Sequence, residues 1–277
     1  LQFTASIISR SATKIKGIAK VISIHEFVIN LQFAGGLLLC LHSSRLPLSP
    51  MGLWLFHQDF LQIKQLIKLG QHLECDGFCL SNKTFVLQIF SREINLNLPN
   101  LKFDNRTGLN IISNLAKKTG LYGGLNEALS NLEREEFKPY YIFINKIITK
   151  QMQIPISHLL GKGLGLTPSS DDTLIGILAV LYSNSDIYQY LYETKPFDIY
   201  DPFELNKYTT LVSANYVSQA LFGNFATPLW HFMVQFNQSN KFFQRLRDLL
   251  NCGHSSGADT LLGIFLALNV LNKQNII

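Results

Sequence analysis

A polar loop running into an apolar helix occurs twice in this chain, and its residue types suit a small charged ligand. Pro168-Ser169-Ser170-Asp171-Asp172-Thr173-Leu174-Ile175-Gly176-Ile177 aligns without gaps with Ser255-Ser256-Gly257-Ala258-Asp259-Thr260-Leu261-Leu262-Gly263-Ile264. Identical positions are Ser169/Ser256, Asp172/Asp259, Thr173/Thr260, Leu174/Leu261, Gly176/Gly263 and Ile177/Ile264, with Leu181/Leu268 one turn further on. The first copy follows Gly161-Lys162-Gly163-Leu164-Gly165-Leu166-Thr167, and the second follows Cys252-Gly253-His254. Glycine N–H groups, hydroxyls at a helix start and the helix dipole all favour negative charge there. The glycine run is not a Walker loop, because no Gly-Lys-Ser/Thr closes it. Its G-x-G-x-G spacing also departs from the dinucleotide fingerprint.

These features nominate Gly163, Gly165, Thr167, Ser169, Ser170, Asp171 and Thr173 in the first copy as anion-binding residues. Gly253, Ser255, Ser256, Gly257 and Thr260 are their counterparts in the second. Asp172, Asp259 and His254 are the candidate catalytic groups. His254, one of seven histidines, lies inside a motif, where it could polarise a carbonyl, act as a general acid or cap a helix. Helix capping is the competing reading of the loops, with Thr167 as N-cap and Pro168 as first helical residue. Capping alone does not call for the same Ser, Asp, Thr and Gly twice, which favours a ligand. No dedicated metal site and no cofactor are expected. The alternative is that Asp171, Asp172 and Asp259 gather Mg²⁺, completed by hydroxyls and substrate oxygens.

The elements that must position these groups follow from periodicity. Gly176 and Gly263 fall mid-helix, where each costs about 1 kcal/mol relative to alanine, so a close helix crossing is the expected compensation. Leu174, Ile177, Leu178 and Leu181 match Leu261, Ile264, Phe265 and Leu268 at helical spacing. A pseudo-two-fold helix pair is predicted, with adjacent N-termini and Asp172 near Asp259.

The first hundred residues read as β. Val21 to Leu31 forms one strand, Gly35-Gly36 a turn, and Leu37 to Leu41 a returning strand. A short helix fits Asp59 to Leu69, and a hairpin fits Leu73 to Ile89, turning near Asp76-Gly77 or Ser81-Asn82-Lys83. Beyond Pro99-Asn100 the pattern turns helical. One stripe holds Leu109, Ile112, Leu115 and Ala116, and another Tyr141, Ile144, Asn145, Ile147 and Ile148. A third helix spans about Thr209 to Phe222, after a loop at Lys195 to Pro202. The expected class is α+β: a small β barrel or sandwich over residues 1–100, then a mainly helical domain over 101–277 carrying both repeats.

At 277 residues, 47% apolar and 16% charged, the chain is long enough for a real core and too apolar for disorder. Net charge is +5, but the densest cluster, Arg10, Lys14, Lys16 and Lys20, lacks interleaved aromatics, so no nucleic-acid partner is expected. Four cysteines, Cys40, Cys75, Cys79 and Cys252, are too few for a disulfide framework and read as reduced thiols. The longest apolar runs are too short to cross a bilayer, and no secretory h-region precedes a cleavage site. A cytoplasmic protein without a membrane partner is expected.

Gly163 to Asp172 and Gly253 to Leu261 together resemble the AllH family, which includes the small subunit of oxamate carbamoyltransferase. Ile24 to Leu31 resembles that family's N-terminal strand ending in Asn. Ser213-Ala214-Asn215-Tyr216 through Ala220 to Phe225 resembles its penultimate helix. Three places depart from the pattern: Ser170 stands where the family usually has glycine, Leu164 to Leu166 lie where it often has a proline or another residue, and Ser255 replaces a common threonine. The resemblance implies purine (allantoin) nitrogen catabolism, in which oxalurate and phosphate give oxamate and carbamoyl phosphate. It also implies other carbamoyltransferase subunits as partners. Phosphate, carbamoyl phosphate, oxamate and oxalurate are all anions. Asp-Asp-Thr and Asp-Thr also resemble the metal motifs of the ADP-ribosylglycohydrolases, without the second carboxylate of their C-terminal motif. A non-catalytic ligand-binding or scaffold protein of the same fold is the remaining reading.

Overall fold

In the computed structural model, residues 1–13, 15–89, 92–101, 118–120, 123–236 and 239–276 are described. The chain forms two units: residues 1–97 with 224–227, and residues 98–223 with 228–277.

The first unit is a curled ten-stranded sheet. Its strands are β1 (Gln2–Thr4), β2 (Ile7–Ser9), β3 (Gly17–Ile24), β4 (Val28–Gln32), β5 (Leu38–Ser43), β6 (Gly52–Leu55), β7 (His72–Cys75), β8 (Cys79–Ser81), β9 (Val86–Gln88) and β10 (Arg92–Ile94). They lie in the order β1-β9-β8-β7-β3-β4-β5-β6-β2-β10. Ala5 N–H donates to Gln88 and the adjacent Ser6 N–H to Trp54, stitching together opposite ends of that order. Alternation sets the inner face: Val21, Ile29, Leu31, Leu39, Leu41, Leu53, Leu55, Leu80 and Leu87 are fully buried in one core with Phe60 and Ile63. The last two project from the helix His57–Leu66, close to the segment expected.

The segment Val21 to Leu31 is not one strand. It folds back at His25, whose N–H bonds to Val28 O, so that Ser23 faces Asn30 and Ile24 faces Ile29. The run of β-branched residues conceals a turn that has no glycine or proline to announce it. Further on, both candidate turns are used. Asp76 Oδ1 accepts from Phe78 and Cys79 N–H at 2.7 Å, and Asn82 Oδ1 accepts from Thr84 and Phe85 N–H. The result is a meander, β7-β8-β9, set by two side-chain-capped turns. Residues 224–227 join this unit through a paired contact between Leu48 and Thr227.

The second unit is helical around two buried helices, Ser169–Tyr182 and Ser256–Lys273. Every residue of Ser169–Tyr182 is buried, the polar Ser169, Ser170, Asp171, Asp172 and Thr173 at its start included. Around this pair stand the helices Lys138–Ile148, Ser185–Thr194 and Leu211–Leu221. Lys138–Ile148 buries Tyr140, Phe143, Ile144 and Ile147, so Tyr141, Asn145 and Ile148 of the expected stripe lie off its buried face. Helices Thr227–Val234 and Ser239–Leu250 were not anticipated from the sequence. The expected helix with Leu109, Ile112, Leu115 and Ala116 lies outside the described residues. Curled sheet first and helices after it make the protein α+β. All four cysteines are free, and no helix among the described residues is long and apolar enough to cross a membrane.

Candidate functional site

The two repeats fold into equivalent elements in the same register. Their helices begin at Ser169 and at Ser256, which are aligned positions. They also pack on each other more extensively than any other pair of elements. The glycines explain how. A Cβ on Gly176 would overlap the Thr260 carbonyl oxygen and crowd Ile264 N, and one on Gly263 would overlap the Thr173 carbonyl oxygen and crowd Ile177 N. Each glycine therefore receives the backbone of the other repeat, one turn after the shared Asp-Thr. The crossing is pseudo-symmetric, and it places the two helix N-termini side by side.

The loops ahead of these helices touch. Thr167 Oγ1 and Ser256 Oγ are 2.7 Å apart, joining the end of the glycine-rich loop to the first residue of the second helix. Thr167 is therefore not an N-cap. Pro168 holds that position, and neither repeat helix carries a side-chain cap bond. Three other helices of the unit are capped in the ordinary way: Asn184 by accepting from Ile187 N–H, Asp201 from Phe203 and Glu204 N–H, and Thr210 from Ser213 N–H. The Thr167 hydroxyl, for which capping was the competing reading, instead links the two repeats.

Below this contact lie the carboxylates. Asp172 is 6% exposed, and Asp171 and Asp259 are fully buried. Burial pushes the Asp172 pKa up to about 7. The hydroxyls of Ser256 and Thr167 oppose that shift, and the negative charges of Asp259 and Asp171 add to it. Its Oδ2 has no hydrogen-bond partner. Asp259 accepts from Gly120 N–H through Oδ1 at 2.9 Å. Gly120 follows the strand Lys118–Thr119, which pairs with Gly123–Gly124. A side chain at Gly120 would overlap Ser169 Oγ and crowd Ser255 Oγ. Gly120 is thus a third wall of the site that sequence reasoning missed. No local signal marks it, because its partners lie far along the chain.

Asp171 behaves differently from its neighbour. Its Oδ1 accepts from Gly161 N–H at 2.7 Å and from Ser170 Oγ at 3.1 Å, and its Oδ2 accepts from Ser213 Oγ at 2.5 Å and from Thr209 Oγ1. Ser170 Oγ in turn accepts from Lys162 N–H at 2.8 Å. Thr173 Oγ1 donates to Ser169 O at 2.8 Å and is hydrogen-bonded to Tyr140. The Tyr140 pKa is raised by burial first, then by the charges of Asp171 and Asp259. Thr260 is buried at the crossing, where its carbonyl meets Gly176.

Toward solvent, residues 161–166 are exposed, as are Gly253 and His254, while Thr167, Ser255 and Ser256 are half-buried. Gly163, Gly165 and Gly253 adopt the positive φ that favours glycine. Gly163 lies against the Ser169 backbone and side chain, and Gly253 against the Ser256 side chain. Gly257 lets its helix approach the Leu249 carbonyl, a packing task. The structure therefore brings Gly163, Thr167, Ser169, Asp172, Gly253, Ser255, Ser256 and Asp259 together at the two helix N-termini. Asp171, Ser170 and Thr173 lie behind these residues, bonded to protein, and Thr260 is buried at the helix crossing. Among the described residues no group of three or more His, Cys, Asp or Glu side chains is placed to hold a metal ion.

No solved structure matches this chain. Residues 159–268, which hold both loops and both copies of the motif, match the family model described as oxamate carbamoyltransferase subunit AllH, the family that the two motifs resemble.

Proposed function

We propose that the chain is a component of an oxamate-type carbamoyltransferase and binds the anionic end of its substrate between the two repeat loops. The family match supports the enzyme class. One observation carries the binding reading: the Thr167–Ser256 contact joins two uncapped helix N-termini over a buried carboxyl group. Both helix dipoles and the hydroxyls of Ser169, Ser255 and Ser256 would receive phosphate, carbamoyl phosphate, oxamate or oxalurate, although Ser170 N–H and Gly257 N–H are already taken by the carbonyls of Lys162 and Cys252. Held near a pKa of 7, Asp172 is largely protonated in mildly acidic solution, and so presents a neutral acid to an anion. His254, exposed on the second loop, would act on a carbonyl or leaving group of the bound anion. Carbamoyl transfer in an enzyme of this family would be completed with other subunits.

A divalent cation fits the same residues less well. The Asp171 carboxylate already accepts from four protein donors, and Asp259 accepts from Gly120 N–H, so Asp172 and Asp259 are the two of the three left to consider. Mg²⁺ held by these two would need substrate oxygens to complete its shell. A melting series in phosphate against chloride, at constant ionic strength, tests the anion reading. Phosphate should raise the melting temperature by mass action, and replacing both loops should remove the shift. No phosphate-specific shift, or one that survives loop replacement, would sink it. Tight stoichiometric Mg²⁺ binding without substrate would favour the metal reading.

A further inference from the structure

We infer that Asp171, together with Thr209 and Ser213, is the positioning element of the anion site: it binds no ligand but fixes the glycine-rich loop to the start of the helix Leu211–Leu221. The inference rests on the anion reading for its functional consequence, while its geometry stands independently. Asp171 is fully buried, and all four of its hydrogen bonds are to protein. Two of them, from Gly161 N–H and Ser170 Oγ, hold the beginning of the loop. The other two, from Thr209 and Ser213, come from the turn that opens Leu211–Leu221. A second tie holds the far end of the loop, where Thr210 Oγ1 donates to Leu166 O. A third lies at the near end: Gly161, at φ +75°, sits so close to the Tyr208 carbonyl that any side chain there would overlap it.

The exposed stretch 161–166 is therefore pinned at both ends to residues 208–213, and between the pins Gly163 and Gly165 take positive φ. Gly163 passes directly over the Ser169 backbone N. The loop's path decides how much room an anion has above the first repeat helix, and Asp171 decides the loop's path. The second repeat has alanine at the aligned position, Ala258, and no such clamp, so this task is separate from what the two copies share.

The test uses the whole chain and three variants, Asp171→Ala, Asp171→Asn and Ser213→Ala. Phosphate affinity is measured by calorimetry well below each melting temperature, and amide exchange is measured at Gly161 and Lys162. A purely stabilising role would lower the melting temperature and leave affinity and local exchange unchanged. The expected result for Asp171→Ala is faster exchange at Gly161 and about tenfold weaker phosphate binding, by analogy with the low end of what losing an outer hydrogen-bond partner costs a metal site. Asp171→Asn keeps an oxygen for Gly161 N–H and should restore most of both. Should Asp171→Ala fail to fold, Ser213→Ala should show the same two changes to a smaller degree. Wild-type phosphate affinity and Gly161 exchange in the variants that fold would overturn the inference. If wild type binds no phosphate, the anion reading fails, and Gly161 exchange alone still decides whether the clamp exists.

Discussion

The first and second repeats are alike at the positions that face each other and unlike at the positions that face their own surroundings. Asp172 and Asp259, Thr173 and Thr260, and Gly176 and Gly263 occupy equivalent places around the helix crossing. Position 171 is an aspartate with four donors, whereas its counterpart Ala258 is a buried alanine. Position 170 is a serine that receives Lys162 N–H, whereas its counterpart Gly257 makes room for the Leu249 carbonyl. Even the shared aspartates differ in partners: Asp259 takes the Gly120 backbone N–H, and Asp172 takes the hydroxyls of Ser256 and Thr167. Identity between the copies thus tracks the helix crossing and the proposed site beside it, and divergence tracks what surrounds each loop.

The sharpest way to break this comparison is to exchange what differs. Ala258→Asp would bury a carboxylate where the second copy has no counterpart to the four donors around Asp171, and should cost about 4 kcal/mol in urea unfolding. A loss under 1 kcal/mol would mean that the second copy has latent donors and that the asymmetry is incidental. Next in size are the crossing glycines. Gly176→Ala or Gly263→Ala drives a methyl into the partner's carbonyl, and each should destabilise by about 3 kcal/mol despite alanine's better helix propensity. The double variant should fall short of the sum, since both changes push apart one interface.

The two shared aspartates can be separated by pH. Folded Asp172 keeps its proton up to about pH 7, while the unfolded chain releases it near the ordinary value of 3.8. Between these values the folded state binds more protons, so this group makes stability fall as pH rises, and its contribution levels off above about 7. Asp172→Asn removes that dependence. Relative to wild type, the variant should gain on the order of 2 kcal/mol between pH 5 and pH 7, read by urea unfolding of both proteins. A constant difference between the two would show that Asp172 ionises normally. Smallest is the bond between the loops. Thr167→Val should cost about 1 kcal/mol of stability, the net worth of one hydrogen bond, and should weaken phosphate binding as well.

The helix pair was legible because a repeat supplies its own control: two glycines that each weaken a helix, at the same offset from the same Asp-Thr, imply mutual contact. The α+β order was legible from the change in periodicity after Pro99. What escaped had physical reasons. The turn at His25 lies within β-branched residues and carries no breaker. Gly120 joins Asp259 across 139 residues, a separation on which local pattern is silent. Thr167 followed by Pro168 looks like a cap and first helical residue, yet the helix starts one residue later and frees the hydroxyl for Ser256. For Asp171, residue type suggested a ligand contact, and only the fold reveals that its oxygens are already taken.

Both loops are proposed to serve one ligand. Calorimetric titration of phosphate into the full chain, with Ser169→Ala and Ser255→Ala tested singly and together, addresses it most directly. The account predicts one site per chain, weakened by either change, with the double variant showing a coupling between the two. Two independent sites, or a site that loses affinity with one serine and ignores the other, would contradict it.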